Sequence, residues 1–367
     1  IPVSRLKNIS EHIHMSIDLY EDLLNQGIYR YGSDELLIFE NQMERFFKRE
    51  YDRWLDNSNP VESYGLSSFE GEIAKKETRN ISVDHYDEEY QAYLSFLDNN
   101  YMAYTMAYYG ATSDSPDIDD ISLEQAQENK YKLLTERCEI QDGQFILDLG
   151  CGFGGLSKYL LNIFPNIKIV GINPSKVQTD HIKNVLIKSD ATFDESRFEL
   201  ITEFFDDIKT DTIADDYFDR VISIGLLEHV SNIDLLQKKI SRILKPGGKC
   251  LHHCIVSRDT IPNYLNSETS QMGHYYPGAH IWPYSEPQRH TTHIEYSNSW
   301  FINGLNYWKT IDEWHKRFWL AIEKLYPTYL SKEEVEDWNK YFSLCKTMFN
   351  PNNGNSYGNG QYLYIKM

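Results

Sequence analysis

Residues 145–155 read FILDLGCGFGG, and this stretch decides the fold. The apolar run at 145–147 predicts a buried strand, which Asp148 closes. The LSKYLLNIF sequence at 156–164 has the apolar spacing of a helix. The turn between them contains glycines, which let the backbone approach a ligand closely: Gly150, Gly152 and Gly154. A strand, a glycine-rich turn and a helix together predict the first half of a nucleotide-binding βαβ unit.

The glycine spacing indicates which nucleotide the turn binds. The spacing is GxGxG, whereas the dinucleotide fingerprint is GxGxxG. An acidic residue just before GxGxG, here Asp148, is typical of sites for S-adenosylmethionine (SAM). A turn that binds nothing and a turn that binds NAD are the alternatives. We rank SAM first because motifs elsewhere in the chain agree with it.

The charge of the chain restricts the classes of partner. The chain has 367 residues, with 36 Lys and Arg against 55 Asp and Glu, which gives a net charge of −19. Because phosphate neutralisation dominates nucleic-acid binding, this charge argues against nucleic acid as a partner. It also argues against unassisted docking on anionic lipid. A cationic small-molecule substrate is compatible with it, although a solvated acidic surface is the commoner explanation.

Cysteine usage and hydropathy bear on location. No two cysteines have the CxxC spacing of a metal site, and their number is odd, so we expect a reduced, cytoplasmic protein without a bound metal. No apolar run reaches the roughly 18 residues of a membrane span, so no integral membrane segment and no signal peptide are expected. The sequence does not decide between a monomer and a homodimer. The cysteines are Cys138, Cys151, Cys250, Cys254 and Cys345.

Strands and helices alternate along the middle of the chain. Apolar runs predict strands at 145–149, 167–172, 198–202, 218–224 and 249–256, and helices at 156–164, 175–187 and 233–244. This alternation predicts an α/β fold with a parallel, doubly wound, Rossmann-like sheet. Ligands of such sheets bind at the carboxyl ends of the strands.

We divide the chain into four parts. Residues 1–110 are predicted to form a helical, aromatic-rich N-terminal region that caps the substrate, and residues 111–258 the Rossmann-like core. After the fifth strand, residues 259–330 are predicted to supply a loop-rich lid insertion and substrate-pocket helices. Residues 331–367 are predicted to form a C-terminal helix and the last strands of the core, with the final strand at 361–367.

Four motifs carry a resemblance to a known family: LDLGCGFGG at 147–155, GINPSKVQ at 171–178, ISIGLLEHV at 222–230 and WFINGLNYWKTIDEWHKRF at 300–318. Through them, roughly residues 100–367 resemble the cyclopropane fatty acid synthase family of SAM-dependent methyltransferases, with its plant alkaloid branch, the coclaurine N-methyltransferases. The last motif and the ending YLYIKM are most similar to the alkaloid branch. The resemblance implies a class I methyltransferase core, SAM as cofactor and S-adenosylhomocysteine (SAH) as product.

The resemblance also implies which residues hold the cofactor. Where many SAM enzymes have a ribose-binding acid, this family commonly has a Gln shortly afterwards, and the two positions are Asn173 and Gln178. The alternative is a helix-capping Asn and a solvent-facing Gln. The register puts Phe204, beside Glu203, where the family usually has an Asp near adenine, and a phenyl ring can pack on adenine. Tyr108, in the pair Tyr108-Tyr109, is matched to a Tyr-Ser pair at the methionine end. The implied set is Tyr108, Asp148, Gly150, Cys151, Gly152, Gly154, Asn173, Gln178, Glu203 and Phe204.

Glu228 and His229 follow the fourth predicted strand, at the ligand end of the sheet. Methyl transfer to an amine needs a deprotonated nitrogen, which calls for a general base. A carboxylate beside an imidazole can bind an ammonium, accept its proton or orient a helper group. The alternative is structural: Glu228 caps the next helix and His229 packs behind it.

For the lipid branch, the resemblance implies a bound bicarbonate that takes a proton after methyl transfer. The matching positions are Glu228, His253, Ile255 and Tyr307. Adjacent strand residues face opposite ways, so His253 is expected to face the site and His252 to be buried and hydrogen-bonded. The alkaloid enzymes have a further Glu where this chain has Gly225, as in the lipid enzymes. The cyclopropane synthases have a Cys near the place that Gly110 takes here, so the sequence mixes the two branches.

Other histidines and aromatic residues fall in the predicted lid. Their histidine spacing matches no recognised metal motif, and surface or loop positions are expected for His274, His280, His290 and His293. Aromatic faces can line a pocket for a cationic amine, a carbocation or a fatty chain, so they do not discriminate between substrates. The candidate lining residues are Tyr275, Tyr276, Trp282, Trp300 and Trp308.

Four functions follow, in this order. The first is SAM-dependent N-methylation of a small-molecule amine, with Glu228, alone or together with His229 or His253, handling the proton and Tyr307 closing the pocket. The second is C-methylation or cyclopropanation of an unsaturated acyl chain with bound bicarbonate, which the set of four residues and Gly225 favour. The third is a SAM-binding protein without catalysis, and NAD-dependent redox chemistry ranks last.

Overall fold

The structure is a computed structural model, and it describes residues 30–57, 72–74, 79, 83, 87, 89–259, 263–264 and 279–367. Three of the candidate residues in the predicted lid, His274, Tyr275 and Tyr276, lie outside the described residues. The described part of the predicted N-terminal region contains two helices of five residues or more, α1 (Asp34–Asn57) and α2 (Tyr90–Phe96).

The centre of the molecule is a parallel sheet. Its strands are β1 (Phe145–Leu149), β2 (Lys168–Ile172), β3 (Phe198–Ile201), β4 (Phe218–Ile224) and β5 (Leu244–Ser257). They pair in the order β3-β2-β1-β4-β5, all parallel. The bounds of β1 and β4 coincide with the predicted ones, because continuous apolar runs are typical of strands that are buried on both faces. The predicted doubly wound α/β sheet is confirmed.

Four further strands extend this sheet beyond β5: β6 (Asn263–Tyr264), β7 (His280–Pro283), β8 (Glu295–Asn303) and β9 (Tyr357–Ile365). β9 runs antiparallel to β5, and β8 runs antiparallel to β9. Part of the predicted lid, Glu295–Asn303, is therefore a strand of the sheet. β9 begins four residues before the predicted final strand, and its Gly358 is required because a Cβ there would lie 2.2 Å from the carbonyl oxygen of Ile302.

Helices cover both faces of the sheet and continue after it. They are α3 (Leu123–Arg137), α4 (Gly155–Ile163), α5 (Lys176–His181), α6 (Ile233–Ile243), α7 (Leu305–Leu320), α8 (Ile322–Leu325), α9 (Lys332–Met348) and α10 (Pro351–Gly354). A π-helical turn, Ile182–Ile187, continues α5. α3 and α4 pack on one face of the sheet with Leu134 and Leu160, and α6 packs on the other face with Leu236 and Ile240. No described helix is long and apolar enough to cross a membrane.

α1, α2, α7 and α9 form a helical layer with an aromatic core. The rings of Phe96 on α2 and Trp314 on α7 lie 5.9 Å apart. Lys346 on α9 is 3% exposed and pairs with Glu40 on α1 at 2.7 Å and with Asp312 on α7 at 3.1 Å. Most aromatic residues of this layer therefore serve packing, and a few on α7 and α9 are left to face the sheet.

Candidate active site

A cavity of about 250 Å³ lies at the carboxyl ends of the parallel strands. Its walls come from the turns after β1, β2, β3 and β4 and from the helices α7 and α9. This is the edge at which open parallel sheets bind their ligands. The cavity therefore has a half formed by β1 to β3 and a half formed by β4, β5, β9 and the helical layer.

The glycine turn after β1 forms the floor of the first half. Gly150, Gly152 and Gly154 all have positive φ angles, of 79°, 54° and 84°. A Cβ on Gly152 would meet no atom within 4 Å, whereas one on Gly154 would lie 2.8 Å from Leu186. Gly150 and Gly152 line the cavity and Gly154 does not. Gly152 therefore keeps ligand space open, and Gly154 allows close packing.

Asp148 ends β1 inside the cavity wall. It is 2% exposed, and its Oδ2 accepts a hydrogen bond from Ser157 Oγ at 2.7 Å. Burial raises the pKa of this carboxyl to about 6. Cys151, which follows on the turn, also lines the cavity, and burial raises the pKa of its thiol well above the ordinary value. A thiol of this kind is inert packing rather than a nucleophile.

Asn173 and Gln178 meet at the end of β2. Asn173 Nδ2 donates to Gln178 Oε1 at 2.8 Å and to the carbonyl oxygen of Gly152 at 3.1 Å. Both side chains are 5% exposed and both line the cavity, so Gln178 does not face solvent. Ser175 rather than Asn173 caps α5, because its Oγ accepts the N–H of Gln178. The pair joins the end of β2 to the glycine turn.

The turn after β3 brings Phe204 to the cavity but not Glu203. Glu203 is exposed and lies outside the cavity wall. The guanidinium of Arg79 lies over the Phe204 ring, 5.0 Å from its centroid, and Arg79 donates to Asp207 at 3.0 Å. Arg79 is 7% exposed and lines the cavity too. The sequence contained no periodicity or motif around residue 79 that pointed to this contribution.

The segment before α3 reaches the cavity through different residues from the one predicted. Tyr108 donates its backbone N–H to Ala126 and lies outside the cavity wall, whereas Tyr104 and Thr105 line it. Tyr104-Thr105 is also a phenol followed by a hydroxyl, which is the order of the Tyr-Ser pair and could have identified it. Thr105 lies against Gly225, where a Cβ would be 3.2 Å from Thr105 Cγ2.

Glu228 lies on a short 3-10 turn, Leu227–His229, directly after β4. It is 8% exposed and lines the cavity. Its Oε1 accepts the backbone N–H of Ile255 at 2.7 Å, and its Oε2 has no hydrogen-bond partner among the described residues. Burial raises the pKa of this carboxyl to about 7. Asn232, not Glu228, caps the following helix.

His229 is also part of the cavity wall. Burial lowers the pKa of its imidazole to about 4, so the ring is neutral at pH 7. Because a base with the higher pKa holds a proton more strongly, Glu228 is the stronger base of the two. His229 can then orient a group or accept a hydrogen bond without carrying charge.

His253 is not brought to the cavity wall. Its ring lies between two amide side chains of β9, with Asn359 Nδ2 placed 2.9 Å from Nε2 and Gln361 Nε2 placed 3.1 Å from Nδ1. The prediction missed this because β9 pairs with β5 and its side chains take the space beside the ring. His252 faces the other side of the sheet, buried against Ser223 Oγ at 2.6 Å, as predicted.

Ile255 and Tyr307 line the cavity with Glu228. Tyr307, at the start of α7, is 8% exposed and stacks on Phe349 with ring centroids 4.5 Å apart. The structure therefore brings together three of the four residues expected at the bicarbonate site and separates His253 from them. This half is also lined by the polar side chains of His229, His280 and Asn359. Its apolar and aromatic side chains include Tyr104, Ile311, Tyr341, Met348 and Phe349.

Among the described residues of the predicted lid, His280 and His290 are buried. His280 is fully buried, stacks on Trp282 at 4.4 Å and lines the cavity, so the expected loop position was wrong for this residue. His290 pairs with Asp234 and Glu286. The described residues contain no group of acidic, His or Cys side chains that could hold a metal ion. Trp282, Trp300 and Trp308 lie outside the cavity wall.

Two sequence relatives place the chain among known enzymes. The cyclopropane-fatty-acyl-phospholipid synthase of Escherichia coli (strain K12) is 28% identical over 281 residues, which cover 75% of this chain and 66% of that enzyme. The chain thus spans just under two thirds of that relative. The (S)-tetrahydroprotoberberine N-methyltransferase of Eschscholzia californica is 27% identical over 260 residues, covering 67% of this chain and 71% of that enzyme.

A solved structure and a family model complete the comparison. The crystal structure of coclaurine N-methyltransferase bound to N-methylheliamine and SAH superposes with a TM-score of 0.78 at 20% identity, over 95% of this chain and 99% of that chain. This likeness confirms the predicted class I methyltransferase fold. A model of the mycolic acid cyclopropane synthetase family matches residues 73–357, well over half of the chain. This match confirms, at the level of the family, the predicted membership in the group of cyclopropane fatty acid synthases and coclaurine N-methyltransferases, which are SAM-dependent enzymes. The protein belongs to the mycolic acid cyclopropane synthetase family.

Proposed function

We propose that this protein is a SAM-dependent methyltransferase that acts on the nitrogen of a small-molecule amine. The observation that carries the proposal is the buried carboxyl of Glu228, which lines the cavity with Oε2 unpaired among the described residues. Its pKa of about 7 keeps much of this carboxyl ionised at neutral pH. A carboxyl with one unpaired oxygen in a largely apolar wall suits a substrate that binds as a cation and transfers a proton to this carboxyl.

The first half of the cavity suits SAM. Gly152 leaves open space at the turn, and the Asn173–Gln178 pair offers polar atoms beside it. Phe204 offers a ring for adenine to pack on, and the guanidinium of Arg79 lies over the same ring. When bound, SAM supplies an electrophilic methyl group. The residues of this half hold and orient the cofactor, so that positioning provides much of the rate.

The second half handles the amine and its proton. An alkylammonium has a pKa of about 10, so moving its proton to a carboxyl of ordinary pKa 4.5 costs about 7 kcal/mol. Moving it to Glu228, with a pKa of about 7, costs about 4 kcal/mol. The burial of Glu228 therefore lowers this cost by about 3 kcal/mol, which corresponds to more than a hundredfold. Tyr104, Tyr307 and Tyr341 offer ring faces that attract a cation before it loses its proton.

Transfer to an unsaturated acyl chain is the second candidate. It is supported by the meeting of Glu228, Ile255 and Tyr307 in one wall. Two contacts argue against a bicarbonate site there: the N–H of Ile255 is donated to Glu228, and both ring nitrogens of His253 face β9 amides. An anion would have to compete for donors that the protein already uses, and it would lie beside a carboxylate.

Tritiated SAM, offered with mixed amines in one reaction and unsaturated phospholipid vesicles with bicarbonate in another, tests the proposal. We expect label in a water-soluble amine, lost in Glu228→Gln but retained in Glu199→Gln, which removes an exposed carboxylate from β3. Label in lipid that depends on bicarbonate would establish the second candidate instead. SAH binding by calorimetry without any turnover would establish a SAM-binding protein without catalysis.

A further inference from the structure

A row of polar side chains runs from α3 across β9 to the cavity. Arg137 Nη1 donates to Gln361 Oε1 at 2.5 Å, and Gln361 Nε2 lies 3.1 Å from His253 Nδ1. Asn359 Nδ2 is placed 2.9 Å from His253 Nε2. Asn359 is 2% exposed and lines the cavity, and its Oδ1 has no hydrogen-bond partner among the described residues. The row therefore ends on a buried amide in the wall of the cavity.

Hydrogen-bond chemistry determines which atoms of Arg137, Gln361 and His253 carry protons. A guanidinium can only donate, so Gln361 must present its oxygen to Arg137 and its nitrogen to His253. His253 Nδ1 is then an acceptor. Burial, together with the nearby Lys130 and Arg137 cations, lowers the pKa of this imidazole to about 3, so it is neutral and carries its single proton on Nε2.

Asn359, the last member, must therefore accept a hydrogen bond from His253 Nε2 rather than donate one to it. Nitrogen and oxygen of a terminal amide have almost the same shape, so hydrogen-bond chemistry decides which of them faces the ring. Two donors would face each other if Asn359 Nδ2 remained at Nε2. Turning the amide over places Oδ1 at His253 Nε2, satisfies this oxygen and moves Nδ2 to the buried position that Oδ1 held. Asn359 thus has an unpaired donor in the cavity wall.

The position of Asn359 assigns this donor to the substrate rather than to the cofactor. In the order β1-β4-β5-β9, Asn359 is three strands from β1, or about 14 Å at the usual strand spacing. It stands directly opposite Ile255, whose N–H turns away from β9 to Glu228. Such a non-hydrogen-bonded pair has Cα atoms about 4.5 Å apart. The Glu228 carboxyl and the Asn359 amide therefore flank the same residue.

We infer that Asn359, oriented by His253 and Gln361, is a specificity-determining residue that donates its amide N–H to a hydrogen-bond acceptor on the substrate. The inference rests on the proposed function, because it takes the second half of the cavity as the place of the amine. A substrate would then present its amine to Glu228 and an oxygen or nitrogen lone pair to Asn359. His253 and Gln361 are positioning residues and touch no substrate.

Isosteric probes test this assignment. Phenethylamine and the three 2-(pyridyl)ethylamines share one shape, but each pyridyl isomer carries an acceptor nitrogen at a different place. We expect one isomer to be methylated with a kcat/KM about 10-fold above phenethylamine, since an unpaired buried donor is costly. Asn359→Asp replaces the donor by an acceptor and should abolish this ratio, whereas Asn184→Asp, on an exposed turn, should retain it.

Gln361→Glu tests the row without touching the cavity. The new carboxylate would accept from Arg137 and from His253 Nδ1, which moves the imidazole proton and turns Asn359 over, so the preference for the pyridyl isomer should vanish. Equal ratios in wild type and both variants, or no preferred isomer in the wild type, would overturn the inference.

A spectroscopic measurement separates failure of this inference from failure of the proposed function. The ¹⁵N signals of His253, assigned by their loss in His253→Gln, report which ring nitrogen carries the proton, whether or not any amine is methylated. A proton on Nε2 supports the orientation of Asn359, and a proton on Nδ1 overturns it. Absence of label in all four probes, with the proton on Nε2, would refute the proposed substrate class and with it the role of Asn359 in selecting an amine.

Discussion

Glu228→Gln is expected to make the protein more stable at alkaline pH while it abolishes methyl transfer. Glu228 is 8% exposed, and burial raises the pKa of its carboxyl from the ordinary 4.5 to about 7. A carboxyl whose folded-state pKa is raised stabilises the fold only while it is protonated, so its contribution is fully present below about pH 4.5 and is lost as pH rises through about 7. Gln mimics the protonated acid and can still accept the N–H of Ile255.

The magnitude follows from the two pKa values. At about 1.4 kcal/mol per pKa unit, the difference between 4.5 and about 7 corresponds to about 3 kcal/mol of unfolding free energy. The variant should exceed the wild type by about 1 kcal/mol near pH 5 and by about 3 kcal/mol near pH 8.5. Urea unfolding followed by tryptophan fluorescence at both pH values measures the two differences.

The exposed variant Glu199→Gln is the control for loss of one negative charge, and its stability should follow that of the wild type at both pH values. A Glu228→Gln difference that is the same near pH 5 and near pH 8.5 would refute the reasoning. It would mean that the Glu228 carboxyl titrates at its ordinary pKa and that burial does not raise this pKa.

The remaining predictions concern the pH dependence of kcat/KM and the space around Gly152 and Gly225. With the amine substrate, kcat/KM should rise with pH through about 7 as Glu228 ionises, and a flat profile there would contradict its role as base. Gly152→Ala should weaken SAH binding about 10-fold in calorimetry. Gly143→Ala is the control, because Gly143 also has a positive φ and open space around it but lies on an exposed turn, and this variant should bind SAH as the wild type does. Equal losses of SAH affinity in the two variants would place Gly152 outside the site. Gly225→Ala should cost about 2 kcal/mol in urea unfolding, and Thr105→Ser should recover part of it by removing the crowded Cγ2.

Local patterns carried the prediction as far as the glycine turn and the ends of β2 and β4. The β1 strand, the glycine turn and the ends of β2 and β4 each lie within a short stretch of sequence, and parallel topology brings their carboxyl ends to one edge. This is why Asp148, Asn173, Gln178 and Glu228 were found in the wall where they were expected. Phe204 was found there too, although its partner Arg79 was not foreseen.

The second half of the cavity, formed by β4, β5, β9 and the helical layer, could not be predicted in detail because it depends on contacts between distant parts of the chain. His253 was placed in the site by strand alternation, which correctly gave its face of the sheet but could not show that β9 amides would lie against its ring. The pair Tyr108-Tyr109 was matched to the methionine end, whereas Tyr104 and Thr105 line the cavity, because this stretch is irregular and has no periodicity that shows which residues face inward. The strand β8 was missed because its alternation, unlike that of β1, is half exposed and polar.

The sequence by itself determined the family, the sheet and the acid at the end of β4, because apolar runs, glycine spacing and charge act within a few residues of one another. Only the tertiary structure decided that burial raises the pKa of Glu228 to about 7 and that Asn359 lines the cavity. Burial and cross-strand register are properties of the assembled sheet. They arise from residues about a hundred positions apart, where local chemistry carries no signal.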